Sequence, residues 1–119
     1  MTTLDTLKRK LIEAGRRLYE RGMIAGSDGN LSARIDRDRI LVTPSGRGKG
    51  QLEPEDLVVV DPTGRLVEGH LEPSSELRMH LFAYSRRDDV RAVVHAHPPH
   101  ATAFAVAGRA LPGDILPEV

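Results

Sequence analysis

"VRAVVHAHPPHATAFAVAG", residues 90–108, changes character at its centre, and that change decides how the chain is read. The first half is apolar and β-branched, as a buried strand requires. Pro98-Pro99 stops it, because proline has no N–H to give a strand ladder. The second half, "HATAFAVAG", is made of small apolar residues and runs to Gly108, which predicts a short helix. Three of the chain's five histidines, His95, His97 and His100, lie in this stretch.

The segments on its N-terminal side repeat the alternation of helix and strand. "SSELRMHLFAYSRR" (74–87) has helical period, with Leu77, Leu81 and Tyr84 on one stripe. "NLSARI" (30–35), "ILVT" (40–43) and "LVVV" (57–60) are short alternating or β-branched runs separated by "DRDR", "PSGRGKGQLEPED" and "DPTGR". They predict strands of a largely antiparallel sheet. "GMIAGSDGN" (22–30) holds three glycines in nine residues and is a loop. Before it, Leu4, Leu7, Leu11 and Leu18 recur at helical spacing with Ile12 beside them. Thr2 or Thr3 caps that helix and Gly22 ends it. The pattern predicts an α/β layered domain without repeats or linkers. The final segment, "GRALPGDILPEV" (108–119), enters a new apolar run and stops within it, so the fold reads as cut off inside a strand.

With 119 residues there is one domain, 1–119, with a modest core. Seventeen Lys and Arg balance seventeen Asp and Glu, interspersed along the chain, so no basic face is offered to nucleic acid. The absence of cysteine excludes disulfides and thiolate metal sites and leaves His, Asp and Glu as strong metal ligands. "MTTLDTLKRKLIEAG" has no uninterrupted apolar core and is neither a signal peptide nor a membrane span. The expectation is a cytoplasmic protein with no membrane partner.

Three constellations carry chemistry. On a strand, His95 and His97 at i and i+2 point to one face about 7 Å apart at the backbone, a bidentate metal claw or two hydrogen-bonded core histidines. Ser74 and Ser75 in "PSSE" stand where a helix begins, as an anion site or as a plain N-cap. Glu76, read inside the first helical turn, is a dipole partner, a metal ligand or a general base. "GSDGN" and "TPSG" place Gly29, Asn30, Ser45 and Gly46 in two loops, as phosphate nests or as ordinary turns.

"GNLS", "TPSG", "PSSE" and "VVHAHPPHATA", in that order, resemble the class II aldolase/adducin family of metal-dependent sugar-phosphate enzymes, over nearly all of residues 10–108. The resemblance implies a three-layer α/β/α fold with a mostly antiparallel central sheet, incomplete because the C-terminal part of the family fold is missing. It implies that Gly29, Asn30, Ser45, Gly46, Ser74 and Ser75 bind the substrate phosphate. It implies that Glu76 is the catalytic acid/base and a metal ligand, and that His95 and His97 are two of three histidines holding Zn²⁺ or another divalent metal. The third histidine, and a tyrosine from a neighbouring subunit, lie further along a family chain roughly twice this length. Neither has a counterpart here. His80, four residues after Glu76 on one helical face, is an alternative ligand. His100 is a candidate for supporting the ligands, and His70 reads as an exposed loop residue.

The activity implied is a metal-dependent aldolase-type lyase acting on a small phosphorylated sugar through an enediolate. The implied assembly is a homo-oligomer, tetrameric in relatives. A sugar-phosphate 4-epimerase, a dehydratase and a decarboxylase are alternatives on the same scaffold. A non-catalytic adducin-like domain and an inactive fragment are alternatives of another kind.

Overall fold

The computed structural model describes residues 3–114. Helix α1 (Leu4–Glu20) is followed by strands β1 (Asn30–Arg34), β2 (Ile40–Val42), β3 (Val58–Val60) and β4 (Leu66–Glu68). Helix α2 (Leu77–Arg86), strand β5 (Ala92–His95) and helix α3 (Pro99–Val106) complete the described chain. The five strands form one sheet in the order β4-β3-β2-β1-β5, and every neighbouring pair is antiparallel.

Alternation along the strands makes the two faces of this sheet. Leu31, Ala33, Leu41 and Val59 point to one side, where Leu11 and the partly buried Leu4, Leu7, Ile12 and Leu18 of α1 cover them. Ile40, Val42, Val58 and Val60 point to the other, against Leu77, Leu81 and Tyr84 of α2. The three-layer α/β/α arrangement thus follows from period-2 strands meeting two helical stripes. Each fully buried Leu or Val contributes about 1.5–3 kcal/mol by leaving water.

Helix α1 begins where Thr3 accepts a hydrogen bond from Thr6 N–H at 3.2 Å; Thr2 lies outside the described residues. It ends in paired back-bonds, Gly22 N–H to Tyr19 O and Met23 N–H to Leu18 O, which satisfy carbonyls the helix leaves open. Helix α3 closes the same way, Gly108 N–H donating to Ala105 O and Arg109 N–H to Phe104 O.

The structure departs from the sequence reading in strand β4, in strand β5 and at the start of helix α2. Strand β4, inside "GRLVEGH", was not anticipated. Its three residues are all exposed on the sheet's outer edge, so no buried alternation marks them. Strand β5 stops at His95, so His97 lies two residues beyond the ladder, where its N–H donates to Met23 O at 2.8 Å. Helix α2 starts at Leu77, with Glu76 at the N-cap rather than in the first turn and Ser74-Ser75 in the approach. There Ser74 Oγ accepts from Glu76 N–H at 3.2 Å. The expected break within a terminal strand concerns residues 115–119, which lie outside the described ones; 109–112 are irregular and Gly113-Asp114 turn. Among the described residues no helix is long and apolar enough to cross a membrane.

Candidate active site

Backbone hydrogen bonds draw four distant segments to one end of the sheet. Asn30 pairs with His95 across β1 and β5, which sets the glycine loop 26–29 beside the histidines. An isolated antiparallel bridge joins Pro44 to Pro73. It is flanked by Ser45 N–H to Glu72 O at 2.9 Å and Ser74 N–H to Thr43 O at 3.1 Å. Thr43 is tied to β1 in turn, its hydroxyl accepting from Leu31 N–H at 3.1 Å. These bonds bring "TPSG" against "PSSE" and both against "GNLS".

They enclose a polar cleft of about 260 Å³. All nine residues singled out in the sequence line it: Gly29, Asn30, Ser45, Gly46, Ser74, Ser75, Glu76, His95 and His97. Ser27, Asp28 and Lys49, which sequence reasoning passed over, line it too. His70 and His100 are exposed elsewhere. Gly29 and Gly46 have φ of +78° and +72°, a region in which an L side chain is strained.

Lys49 is the cleft's buried cation, 2% exposed. Its ammonium donates to Ser27 O at 2.7 Å and Arg47 O at 2.8 Å, clamping the two glycine loops together. Burial pushes its pKa below the ordinary lysine value, against the opposing pull of Asp28. Its sequence signal was a lone lysine between glycines in "GRGKG", the setting of an ordinary solvated turn.

Beneath the cleft runs a buried polar chain. His80 is wholly buried. Its Nε2 lies 2.5 Å from Asn30 Oδ1 and its Nδ1 2.6 Å from Ser32 Oγ, which is 2.7 Å from the Tyr84 hydroxyl. Both ring nitrogens are spent, which removes His80 as the alternative metal ligand. Burial, helped by His95 and opposed by Glu76, lowers its pKa to about 4, so the ring is neutral near pH 7. Burial also raises the Tyr84 pKa, against its Ser32 hydrogen bond and the charge of Arg34, and the phenol keeps its proton.

The rings of His95 and His97 are neighbours, centroids 4.9 Å apart and planes tilted by 44°. His95 Nδ1 is buried and has no hydrogen-bond partner among the described residues. Two adjacent imidazoles, one with an unspent buried nitrogen, fit a divalent metal by donor chemistry. Glu76 lines the same cleft, yet no three His, Asp or Glu groups among the described residues stand close enough together to enclose an ion.

An antiparallel α/β/α layer with a histidine pair and glycine-serine loops at one strand end defines a class. The chain belongs to the class II aldolase and adducin family: the Class II Aldolase and Adducin N-terminal domain matches residues 9–118. It is 44% identical over 101 residues to the methylthioribulose-1-phosphate dehydratase of Methylococcus capsulatus, covering 85% of this chain and 49% of that one. An L-fuculose 1-phosphate aldolase structure superposes with a TM-score of 0.81 at 42% identity, covering 89% of this chain and 50% of the other. The Thermus thermophilus L-fuculose-1-phosphate aldolase gives 0.73 at 36% identity, covering 84% and 50%. The chain spans about half the length of these relatives.

Proposed function

We propose that this chain carries the phosphate-anchoring and proton-transfer part of a lyase acting on a small phosphorylated sugar, a ketose 1-phosphate. The observation that supports this is the convergence of the glycine-serine loops, Glu76 and the histidine pair on one cleft. Peptide N–H groups around Gly29 and Gly46, the hydroxyls of Ser45, Ser74 and Ser75, and the Asn30 amide are donors for phosphate oxygens. Lys49 adds a positive charge. An anchored phosphate supplies binding energy remote from the reacting carbon. Glu76 takes a proton from the carbon or hydroxyl near the sugar carbonyl and returns it to the departing group.

His95 and His97 would hold a divalent cation, zinc in the first instance, and Glu76, which lines the same cleft, would have to draw closer to the pair to join them. When bound, such an ion draws electron density from the carbonyl oxygen and acidifies the neighbouring proton. A homo-oligomer and a cytoplasmic setting belong to the same reading. Aldol cleavage is the first reaction in view. Dehydration is the second, supported by the 44% identity to the Methylococcus dehydratase.

The test is incubation with L-fuculose 1-phosphate and with methylthioribulose 1-phosphate in D₂O with zinc, followed by ¹H and ³¹P NMR. A triose phosphate product identifies cleavage, and a phosphorylated diketone identifies dehydration. Deuterium entering beside the carbonyl without either product still supports proton transfer by this half-site, provided Glu76→Gln abolishes it. No product and no exchange with either sugar would sink the proposal.

A further inference from the structure

The buried chain under the cleft has a direction, and that direction fixes what the cleft offers a ligand. Among the described residues, the Tyr84 hydroxyl has one side-chain hydrogen-bond partner, Ser32 Oγ, and Ser32 Oγ has Tyr84 and His80. The neutral imidazole carries one N–H, on either nitrogen. If the Tyr84 O–H donates to Ser32, the Ser32 O–H donates to His80 Nδ1, and the proton on His80 sits at Nε2 and donates to Asn30 Oδ1. Every buried proton then has an acceptor. In the opposite sense Asn30 donates to Nε2, Nδ1–H donates to Ser32, Ser32 donates to Tyr84, and the phenol proton is left without one. Stranding a buried donor costs about 1–3 kcal/mol, so the first sense wins.

We propose that His80 is a positioning residue that commits the Asn30 carbonyl inward and turns the Asn30 –NH₂ into the cleft as a fixed donor for an anionic substrate oxygen. Asn30 is 4% exposed and lines the cleft. Its amide nitrogen has no protein partner among the described residues, whereas its oxygen is held at 2.5 Å. A purely structural network would close on itself. This one ends in an unspent donor at the cleft. An amide free to rotate would present its oxygen to the ligand as readily as its nitrogen, and that oxygen would repel a phosphate. Holding the amide in one sense removes that choice before the ligand arrives. The inference rests on the reading of the cleft as a phosphate site.

Two measurements test it. On the unaltered chain, ¹⁵N NMR of the imidazoles should show His80 as the Nε2–H tautomer, and added inorganic phosphate should shift the Asn30 side-chain amide protons. An Nδ1–H tautomer, or amide signals that phosphate leaves unmoved, would overturn the proposal, and neither reading depends on a variant folding. Phosphate titrations then compare His80→Gln, whose amide N–H reaches towards Asn30 as Nε2–H does, with His80→Asn, whose shorter side chain does not. Affinity should stay within about threefold of the parent in the first and fall about tenfold in the second. Added to Asn30→Ala, His80→Asn should cost less than about twofold more, because His80 acts through Asn30. Parent-like affinity in His80→Asn, or losses that multiply in the double variant, would refute the inference alone. A parent chain that does not bind phosphate would refute the phosphate site itself, and this inference with it.

Discussion

Replacing Gly29 by alanine and, separately, Gly46 by alanine separates two costs that the structure assigns differently. Both glycines have positive φ, so each substitution carries the left-handed penalty of about 1–2 kcal/mol. Only Gly29 is crowded. A Cβ there would stand 2.5 Å from Ile24 Cγ2 and 3.0 Å from the His95 carbonyl oxygen, whereas one at Gly46 would meet nothing within 4 Å. Ile24 is 3% exposed and has little room to yield, and the His95 carbonyl belongs to strand β5, which is paired to β1. Forced overlap of this kind costs about 1–3 kcal/mol. Gly29→Ala is therefore expected to lose about 2–5 kcal/mol and Gly46→Ala about 1–2. Against a typical domain stability of about 5–15 kcal/mol, the first loss threatens folding and the second does not. The chain has no tryptophan, so urea unfolding is best followed by far-ultraviolet circular dichroism. Equal unfolding midpoints for the two variants would refute the crowding argument.

Stability should depend on pH through His80. Its folded pKa, about 4, lies below the unfolded value of 6.5, so the unfolded chain takes up the proton first. The contribution is complete above pH 6.5 and is lost as pH falls through 4; it amounts to about 3 kcal/mol. Asp36, Asp61 and Asp89, with lowered pKa values, act in the same sense at lower pH, so the measurement is the difference from His80→Gln between pH 7 and 4.5. A parallel slope in both proteins would contradict the assignment. Lys49→Met strands the Ser27 and Arg47 carbonyls; we expect a loss of about 2 kcal/mol and more than tenfold weaker phosphate binding, read by calorimetry. Unchanged affinity would exclude Lys49 from the anion site. Tyr84→Phe removes the donor to Ser32 but leaves Ser32 donating to His80. It should cost about 1 kcal/mol in urea unfolding with phosphate affinity intact, and weakened binding would show that the order of donors is wrong.

The leucine stripe of α1, the β-branched runs of β2 and β3 and the switch at Pro98-Pro99 were readable because each follows one pattern for long enough to count. Strand β5, which its apolar sequence marks as buried, is instead an edge strand with Val94 55% exposed. The cleft residues were readable because glycine, serine and histidine recur in four ordered motifs. What escaped had no such signal. Strand β4 is exposed at the edge, so nothing apolar alternates there. Glu76 and the serine pair precede α2 because the Pro44–Pro73 bridge holds that segment, a long-range contact absent from local pattern. His80 shares a helical spacing with Glu76, which suggests a ligand, but its partners, Asn30 and Ser32, lie 50 and 48 positions away.

A matched repeat explains why those partners meet. Two residues along a strand advance about 6.6 Å and four along a helix about 6 Å, so every second residue of one keeps step with every fourth of the other. Asn30, Ser32 and Arg34 on β1 therefore meet His80 and Tyr84 in turn. His80 bonds Asn30 and Ser32, Tyr84 bonds Ser32, and Arg34 stacks 4.8 Å over the Tyr84 ring while donating to the Tyr84 carbonyl at 3.1 Å. The mismatch of about 0.6 Å per step is small over so few steps. It would break the series if the polar positions ran further. "NLSAR" looks like a strand with one wet face, yet Ser32 is wholly buried, because its polar face is satisfied by the helix rather than by water. A one-residue slip of β1 would put Leu31 and Ala33 against His80 and turn Asn30 away from the cleft. The same register that satisfies the buried chain thus sets its open end, the Asn30 amide, beside Glu76 and His95.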